Sequence, residues 1–335
     1  MSSTNSLPTR VLGSSKIPVG AIGHGLMLLT WTPPPHQPDE EVFESLKAAA
    51  DAGATFWNSG NFYGMSDPLA NLKLLRRFFD KYPEYASKIF LSVKGGGIAG
   101  QDQSDEAFLR KDVQESLDAL GPVKKIDLFE LARQTKPVEA TIPIMKKMID
   151  DGMFSYIGLS EVGASTIRRA QAIHPVAAVE VEVSLWALEP ELYEVIKACE
   201  ELDIAIIGYS PLGRGIIQSN WKTADDIPEG DIRRHQPKFS KVNFPINLKL
   251  TDALKSLAEK RGITASQLAL AYVLKLSPNL IPIPGSSNVV RIKENIASAS
   301  IELSSEEIDQ VNQILAEFPS AGARYGGHLA QLVWL

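Results

Sequence analysis

The chain has 335 residues, of which 44% are hydrophobic, and a formal net charge of −6 at pH 7. A chain of this length can bury a large core, and it allows either one barrel or two domains. Acidic and basic residues are interspersed, and no basic run with interleaved aromatic residues occurs. Neither a nucleic-acid surface nor a membrane surface is therefore indicated.

The single cysteine, Cys199, excludes an intrachain disulfide framework and fits a reducing compartment. No apolar run reaches the roughly 18 residues that a membrane span needs. The first 16 residues are polar and Ser-rich, without the apolar centre of a signal peptide. We therefore expect a soluble, cytoplasmic protein.

In chain order, residues 9–20 predict a small β-hairpin. Eight short apolar runs follow, each ending in glycine or polar residues, and they predict strands at 21–27, 54–59, 89–94, 126–131, 154–160, 177–184, 204–210 and 280–284. Amphipathic segments predict helices at 39–52, 69–81, 105–120, 138–151, 164–173, 189–202, 248–261, 266–276, 289–299 and 304–318.

Eight strand–helix units in one chain favour a closed parallel barrel over an open doubly wound sheet. The predicted fold class is α/β, a (β/α)8 TIM barrel with an N-terminal β-hairpin and extra C-terminal helices. No linker divides the chain, so residues 1–335 are interpreted as one domain with a tail at 319–335. The longest irregular segment, 214–247, is predicted to be a functional or mobile loop, the alternative being a disordered surface excursion.

In such barrels the carboxyl ends of the strands carry the chemistry. Residues 56–64, FWNSGNFYG, predict a buried strand that delivers Tyr63 to a turn between glycines. A phenol has a pKa near about 10, so it donates a proton at neutral pH only with a cation close by. Lys94 ends the next apolar strand, just before three glycines, and supplies such a cation.

Other catalytic arrangements find little support. None of the five histidines has a second His or Cys at metal-ligand spacing, so no metal site is predicted. His24, which precedes Gly25 on the first strand, is interpreted as structural. Because neither a G-x-S-x-G elbow nor a P-loop is present, the acid–base work falls to Tyr63 and Lys94.

The last two strands predict a nucleotide site. The eighth ends in the sequence PGSSN, with Arg291 early in the following helix, and a helix N-terminus favours phosphate through its free N–H groups and dipole. The seventh strand ends at Tyr209, and Arg214 follows between glycines. The usual phosphate site of these barrels follows the same two strands. A ring for stacking and two phosphate loops indicate a nucleotide cofactor.

Together these segments resemble the aldo-keto reductase family, from about Arg10 to Leu315. The motifs that carry the resemblance stand in the family's order, at 56–64, 91–95, 126–133, 157–160, 209–215 and 281–295. The resemblance implies a barrel that binds NADPH without a Rossmann domain and reduces an aldehyde or ketone. It also implies that Tyr63 is the general acid, with Lys94 and Asn58 beside it.

The resemblance implies a set of cofactor contacts along the same face. Ser160 and Glu180 would face the nicotinamide amide, and Tyr209 would stack on its ring. The remaining contacts divide among the pyrophosphate (Ser210, Leu212, Gly213, Arg214), the 2′-phosphate (Ser286, Ser287, Arg291) and the adenine (Glu294, Asn295).

Side chains that follow or end strands at this face predict a substrate pocket for a planar ring. The pocket residues are Met27, Trp31, Phe62, Phe129, Arg133 and Trp186. Each aromatic residue, taken singly, is also compatible with ordinary core packing.

Two positions depart from the family pattern, since Asn58 replaces the usual aspartate and Ala132 the usual histidine. The pyridoxal reductase branch is similar at these places, in the runs 25–31, 57–64, 127–133 and 177–185. We therefore expect pyridoxal as the small-molecule carbonyl substrate. The alternatives are another aldehyde or ketone of secondary metabolism, and an NADPH-binding regulatory protein with little turnover.

Two electrostatic expectations follow. Asn58 can hydrogen-bond Lys94 but cannot cancel its charge, so the ammonium is expected to be uncompensated. Strand alternation places Glu130, Glu180 and Glu182 inside the barrel. Like charges in a dry site raise the pKa of at least one carboxyl group, and we expect that group to be neutral.

Overall fold

The computed structural model describes residues 7–97 and 101–335. It begins with the antiparallel hairpin of β1 (Thr9–Leu12) and β2 (Ile17–Gly20), joined by a short 3-10 turn. Gly13 in this turn has φ +45°, and a Cβ there would lie 2.3 Å from the carbonyl oxygen of Ala177. Only glycine allows the hairpin to approach the barrel so closely.

Eight further strands form one parallel sheet in sequence order. They are β3 (His24–Gly25), β4 (Phe56–Gly60), β5 (Phe90–Gly95), β6 (Leu128–Leu131), β7 (Tyr156–Ser160), β8 (Val176–Glu182), β9 (Ala205–Tyr209) and β10 (Leu280–Pro282). The sheet closes where the backbone N–H of Gly23 donates to the Pro282 carbonyl over 2.9 Å. The predicted (β/α)8 barrel with an N-terminal hairpin is confirmed.

Helices cover the outside of the barrel. They are α1 (Asp39–Asp51), α2 (Ala70–Lys81), α3 (Glu106–Leu120), α4 (Val138–Asp150), α5 (Ala164–Ile173), α6 (Pro190–Glu201), α7 (Phe244–Arg261), α8 (Ala265–Lys275), α9 (Val289–Ala297) and α10 (Ser305–Glu317). Capping boxes start α8 and α10. Among the described residues no helix is long and apolar enough to cross a membrane.

Two elements, α7 and β3, differ from the predicted bounds by more than two residues at one end. Helix α7 begins at Phe244 rather than at 248, because Pro245 occupies its first turn, where a missing N–H costs nothing. Strand β3 covers two residues rather than seven, because the chain turns into a 3-10 helix at Met27. His24 on β3 is 2% exposed, and burial lowers its pKa to about 4. This neutral histidine agrees with the structural interpretation.

The barrel interior is apolar at one end and polar at the other. The apolar layer includes Phe56, Phe90, Leu128, Ala178, Ile207 and Ile281, and Leu12 and Val19 of the hairpin pack against it. The polar layer consists of Asn58, Ser92, Lys94, Glu130 and Glu180, each at most 9% exposed. The polar layer lies towards the carboxyl ends of the strands, where the predicted site is.

The irregular segment predicted at 214–247 is ordered into short 3-10 turns. They are Gly213–Gln218, Ala224–Asp226, Ile232–His235 and Pro237–Phe239. Arg234 fastens two of them together, since its Nε donates to the carbonyls of Ile227 and Pro228 over 2.8 and 3.1 Å. The segment is therefore part of the folded structure.

Candidate active site

Tyr63 lies in the turn after β4 and is 4% exposed. Thr30 Oγ1 donates to the Tyr63 carbonyl over 2.6 Å, and the rings of Trp31 and Phe62 lie 5.8 and 5.1 Å from the phenol ring. Burial raises the pKa of Tyr63 to about 12, although the charge of Lys94 lowers it. The phenol therefore holds its proton at neutral pH.

Lys94, on β5, reaches into the polar layer between two aromatic rings. Its Nζ lies 5.6 Å from the centroid of the Tyr63 ring and 5.7 Å from that of Tyr209. It donates to Glu180 Oε1 in a buried ion pair. Burial, the largest single influence, lowers the pKa of Lys94, but the charges of Glu180, Tyr63 and Glu130 together with the Glu180 hydrogen bond outweigh it, so the net pKa is raised. Lys94 is therefore an ammonium ion.

Asn58 directs its amide to two carboxyl groups rather than to Lys94. Its Nδ2 donates to Glu180 Oε2 over 2.6 Å and lies 3.4 Å from Glu130 Oε1. The expectation of an uncompensated ammonium is therefore wrong, because Glu180 supplies the negative charge. Sequence reasoning placed Glu180 inside the barrel, but it could not say which interior carboxylate meets Lys94.

Glu130 is fully buried, and Gly158 on the neighbouring strand makes room for it. A Cβ at Gly158 would lie 2.4 Å from Glu130 Cγ. Burial first, and the charge of Glu180 second, raise the pKa of Glu130 well above its ordinary value. A neutral Glu130 leaves one ammonium and one carboxylate in this layer, so their charges cancel. The raised pKa agrees in direction with the expectation of one neutral interior carboxyl group.

Glu182, the third interior carboxylate, ends β8 and binds Arg214. Arg214 Nε and Nη2 donate to the two Glu182 oxygens over 3.1 and 2.6 Å. Arg214 and Gly213 have φ values of +56° and +58°. A Cβ at Gly213 would lie 2.6 Å from the Trp186 ring. This tight turn aims Arg214 at the barrel rather than at solvent.

Two of the predicted pocket aromatics lie in the core. Trp186 is 3% exposed, because the Gly213 turn covers its ring. Phe129 is fully buried and stacks on Phe154 at 5.4 Å, on the helix side of the sheet. It faces outward because strand alternation turns its neighbour Glu130 inward. The pocket assignment of Phe129 is corrected accordingly, whereas that of Trp186 stays a prediction.

The other predicted pocket residues remain near Tyr63 or on the loop after β6. The rings of Trp31 and Phe62 meet edge to face at 5.9 Å, and the backbone N–H of Trp31 donates to the Met27 carbonyl over 2.9 Å. Arg133 is half-buried, and the buried Gln103 side chain donates to its carbonyl over 2.6 Å. Sequence reasoning missed Gln103, which no motif marks.

Sequence reasoning also missed that the C-terminal tail covers the carboxyl end of the barrel. Arg324 Nη1 and Nη2 each donate to Glu161 over 3.0 Å, and the two side chains are 4% and 0% exposed. The N–H of Gly163 donates to the Leu335 carbonyl over 2.9 Å. The tail is thus fastened to the loop after β7.

Tyr325 of this tail lies over the residues predicted to bind the cofactor. Its hydroxyl lies 2.6 Å from that of Tyr209, which also donates to Glu161 over 2.8 Å. The Tyr325 ring lies 4.6 Å from the Arg214 guanidinium and 5.4 Å from that of Arg133. The mouth of the barrel is therefore a stacked group of aromatic rings and guanidinium groups.

A separate cavity of about 300 Å³ lies between α7, the start of α8 and α9. Its lining comprises Ile217, Gln218, Lys255, Thr264, Ala265, Ser266, Arg291 and Glu294. Asn288 caps α9, since its Oδ1 accepts from the backbone N–H of Arg291 over 3.0 Å. The Arg291 side chain is exposed. Asn295 Oδ1 is buried without a hydrogen-bond partner in the described part of the chain. The Arg291 cation in the first turn of α9 fits the phosphorylated end of a nucleotide.

The remaining predicted cofactor residues follow their strands as expected. Ser160 ends β7 opposite Glu180 in the strand register. Ser210 has φ +51°, and Leu212 is 6% exposed. Ser286 Oγ accepts from the Asn288 N–H over 3.1 Å. Ser287 is half-buried between the last strand and α9.

A closed parallel barrel with a buried tyrosine and lysine at its carboxyl face is the arrangement of a barrel reductase. The sequence profile described as the Aldo/keto reductase family matches residues 21–316. The chain belongs to that family and is an oxidoreductase.

Similar proteins carry reductase names. The chain is 38% identical over 320 residues to the "Probable pyridoxal reductase 2" of Schizosaccharomyces pombe, across 93% of this chain and 96% of that one. It is 37% identical to the "Aldo-keto reductase str7" of Strobilurus tenacellus, across 98% and 97%. It is also 37% identical, across 96% and 95%, to the S. pombe aldo-keto reductase yakc, whose name includes NADP(+).

A solved structure supports the fold. A glycerol dehydrogenase from Gluconobacter oxydans superposes with a TM-score of 0.79 at 24% identity, over 96% of this chain and 98% of that one.

Proposed function

We propose that this protein reduces pyridoxal to pyridoxine, with NADPH as the hydride donor and Tyr63 as the proton donor. The observation that carries the chemistry is the buried phenol of Tyr63 beside the Lys94–Glu180 ion pair. The choice of pyridoxal rests on similarity to a relative of that name. The rings of Trp31 and Phe62 beside the phenol suit a planar substrate.

Bound NADPH would supply the hydride, which builds negative charge on the carbonyl oxygen. Tyr63 answers that charge by donating its phenolic proton, and the Lys94 ammonium stabilises the phenolate left behind. Because burial and Glu180 hold the pKa of Tyr63 at about 12, the phenol gives up its proton only to a strongly basic oxygen. Proton donation is thereby tied to carbonyl reduction.

Substrate orientation must come from groups other than residue 132, since Ala132 has no polar side chain. Arg133 is half-buried beside Tyr325 and offers a cation near the mouth. We propose that turnover is fast only on carbonyl compounds with an anchoring hydroxyl or ring nitrogen. Pyridoxal has both groups.

We propose NADPH rather than NADH as the cofactor because of Arg291. A dianionic 2′-phosphate at the cavity of about 300 Å³ would accept charge-assisted hydrogen bonds from this guanidinium. Ser286 and Ser287, which precede α9 in the chain, would donate hydroxyl hydrogen bonds to it. Asn295, whose Oδ1 has no partner within the described ranges, would serve the adenine with Glu294.

Two alternatives have support of their own. The relative named only as an aldo-keto reductase is 37% identical, almost the same as the pyridoxal reductase, which favours another aldehyde or ketone to a similar degree. The tail that places Tyr325 against Tyr209 favours an NADPH-binding protein with little turnover.

The test is NADPH oxidation by the purified protein with pyridoxal and a panel of aliphatic and aromatic carbonyl compounds. We expect the highest kcat/KM for pyridoxal. The Tyr63→Phe variant should show no activity above background. A higher kcat/KM for another carbonyl compound would make that compound, rather than pyridoxal, the proposed substrate. NADPH binding without any turnover would favour the regulatory alternative.

A further inference from the structure

Both carboxylate oxygens of Glu180 are engaged inside the protein. Oε1 accepts from Lys94 Nζ and Oε2 accepts from Asn58 Nδ2 over 2.6 Å. The Glu180 side chain is fully buried. A group that merely contacted the cofactor's amide would have no reason to carry a charge, whereas a buried ammonium needs one.

We propose that Glu180 is the positioning residue of the catalytic pair: it supplies the counter-charge of Lys94 and fixes its Nζ beside Tyr63. This inference rests on the proposed role of Tyr63 as proton donor. It assigns Glu180 a role distinct from the contact with the nicotinamide amide that the family resemblance implies.

The other groups of the polar layer do not replace this charge. Asn58 is an amide and contributes only a hydrogen bond. Burial first and the charge of Glu180 second raise the pKa of Glu130 well above its ordinary value, which disfavours its charged form. Ser92 hydrogen-bonds Glu130. Glu180 is therefore the anion of this layer, and it holds Lys94 from the strand opposite.

The ion pair also fixes which group donates the proton. With Glu180 ionised, the pKa of Lys94 is raised, so the ammonium keeps its proton during reduction. The O–H bond of Tyr63 then breaks as an O–H bond forms on the substrate. The phenolate regains its proton from solvent before the next turnover.

Asn58 and Glu180 offer a sharp test because they share a hydrogen bond beside Lys94. Exchanging them, as Asn58→Asp with Glu180→Gln, moves the negative charge to the other end of that bond and keeps both volumes. All variants are made in a Glu130→Gln background, since Glu130 could otherwise ionise and replace the lost charge. Glu130→Gln alone is the matched control, an equally buried carboxyl group that is already neutral.

The first readout is the titration of Tyr63 in the cofactor-free protein. The chain has eight tyrosines, so the phenolate absorbance of each variant is compared with that of its Tyr63→Phe counterpart. In the control, Tyr63 stays protonated to about pH 11. In Glu130→Gln/Glu180→Gln the phenolate becomes the counter-ion available to Lys94, so its titration falls by about one unit or more. The exchange variant restores the control titration.

The second readout separates the two roles of Glu180 with the cofactor present. We expect kcat for pyridoxal reduction to fall about tenfold or more in Glu130→Gln/Glu180→Gln and to recover in the exchange variant. The Kd for NADPH should change less than about twofold in all of them, because both Glu180 oxygens already bind Lys94 and Asn58 and neither is free for the cofactor amide.

Several results would overturn the inference. A weaker NADPH Kd with an unchanged Tyr63 titration would make Glu180 an amide ligand. An exchange variant no better than Glu130→Gln/Glu180→Gln would show that charge is not what matters. If Glu130→Gln/Glu180→Gln fails to fold, recovery of folding in the exchange variant supports the inference, and failure of both contradicts it. The Tyr63 titration needs no turnover. An inactive wild-type protein would reject the proposed function, but the titration would still test the role of Glu180.

Discussion

Lys94 of β5 and Glu180 of β8 form a buried ion pair across the barrel, 86 residues apart in sequence. Asn58 holds the second Glu180 oxygen, and Tyr63 lies beside the lysine. The Glu180 side chain is fully buried, and that of Lys94 is 11% exposed. Burial raises the pKa of the Tyr63 phenol most, and the charges of Lys94 and Glu180 then shift it down and up, respectively.

Replacing Arg291 with alanine should weaken NADPH binding about tenfold or more, because a charge-assisted hydrogen bond to the 2′-phosphate is lost. NADH lacks that phosphate, so its Kd should change less than about twofold. Lys293→Ala, an exposed cation on the same helix, is the matched control. Titrations monitored by protein fluorescence give all the constants. Equal losses for NADPH and NADH would remove Arg291 from the 2′-phosphate site.

Removing the Tyr325 hydroxyl should speed NADPH binding. Tyr325→Phe loses the 2.6 Å contact with the Tyr209 hydroxyl but keeps a ring between the two guanidinium groups. One hydrogen bond is worth about 0.5–1.5 kcal/mol, so the association rate should rise about 2- to 10-fold if the tail must leave Tyr209 first.

Stopped-flow quenching of tryptophan fluorescence measures that rate. Tyr193→Phe, at a tyrosine 48% exposed on α6, should leave it unchanged. An unchanged rate in Tyr325→Phe would mean that the tail does not stand in the cofactor's path.

Much of the architecture could be predicted from local patterns. The spacing of apolar residues predicted the α-helices and strands, because an element that buries one face shows that face in its own sequence. Phe129 shows that the same alternation decides which face of the sheet a side chain occupies. The alternation that put Glu130 inside the barrel also turns Phe129 outward, against Phe154. A position at a strand end is thus not enough to assign a residue to the mouth.

Contacts between distant segments could not be predicted in the same way. The Lys94–Glu180 pair depends on the register of four neighbouring strands, which no short motif encodes. Arg324 and Tyr325 lie in a tail without apolar periodicity, and their respective partners, Glu161 and Tyr209, are far away in sequence. These long-range contacts decide both the charge beside Tyr63 and the cover over the site.

Replacing Glu130 with glutamine should stabilise the protein at neutral pH. The folded pKa of Glu130 is raised, so the folded state keeps a proton that the unfolded state releases above about pH 4.3. The contribution of Glu130 to the free energy of unfolding of the wild type is therefore fully present below about pH 4.3 and is lost as the pH rises above it. The stability advantage of Glu130→Gln should grow from about pH 4 towards neutrality.

Urea unfolding of both proteins across this pH range measures the advantage. Glu182→Gln is the contrasting control, because it breaks the bidentate pair with Arg214 and should destabilise the protein at neutral pH. A Glu130→Gln advantage independent of pH would contradict a neutral Glu130.

The central claim is that Tyr63 donates the proton, and kcat for pyridoxal reduction by Tyr63→Phe tests it most directly. The substitution removes one hydroxyl and leaves the ring packed against Trp31 and Phe62. We predict a fall in kcat of at least about 100-fold, the scale of general acid catalysis, with the NADPH Kd unchanged. A fall of only a few-fold would mean that another group donates the proton.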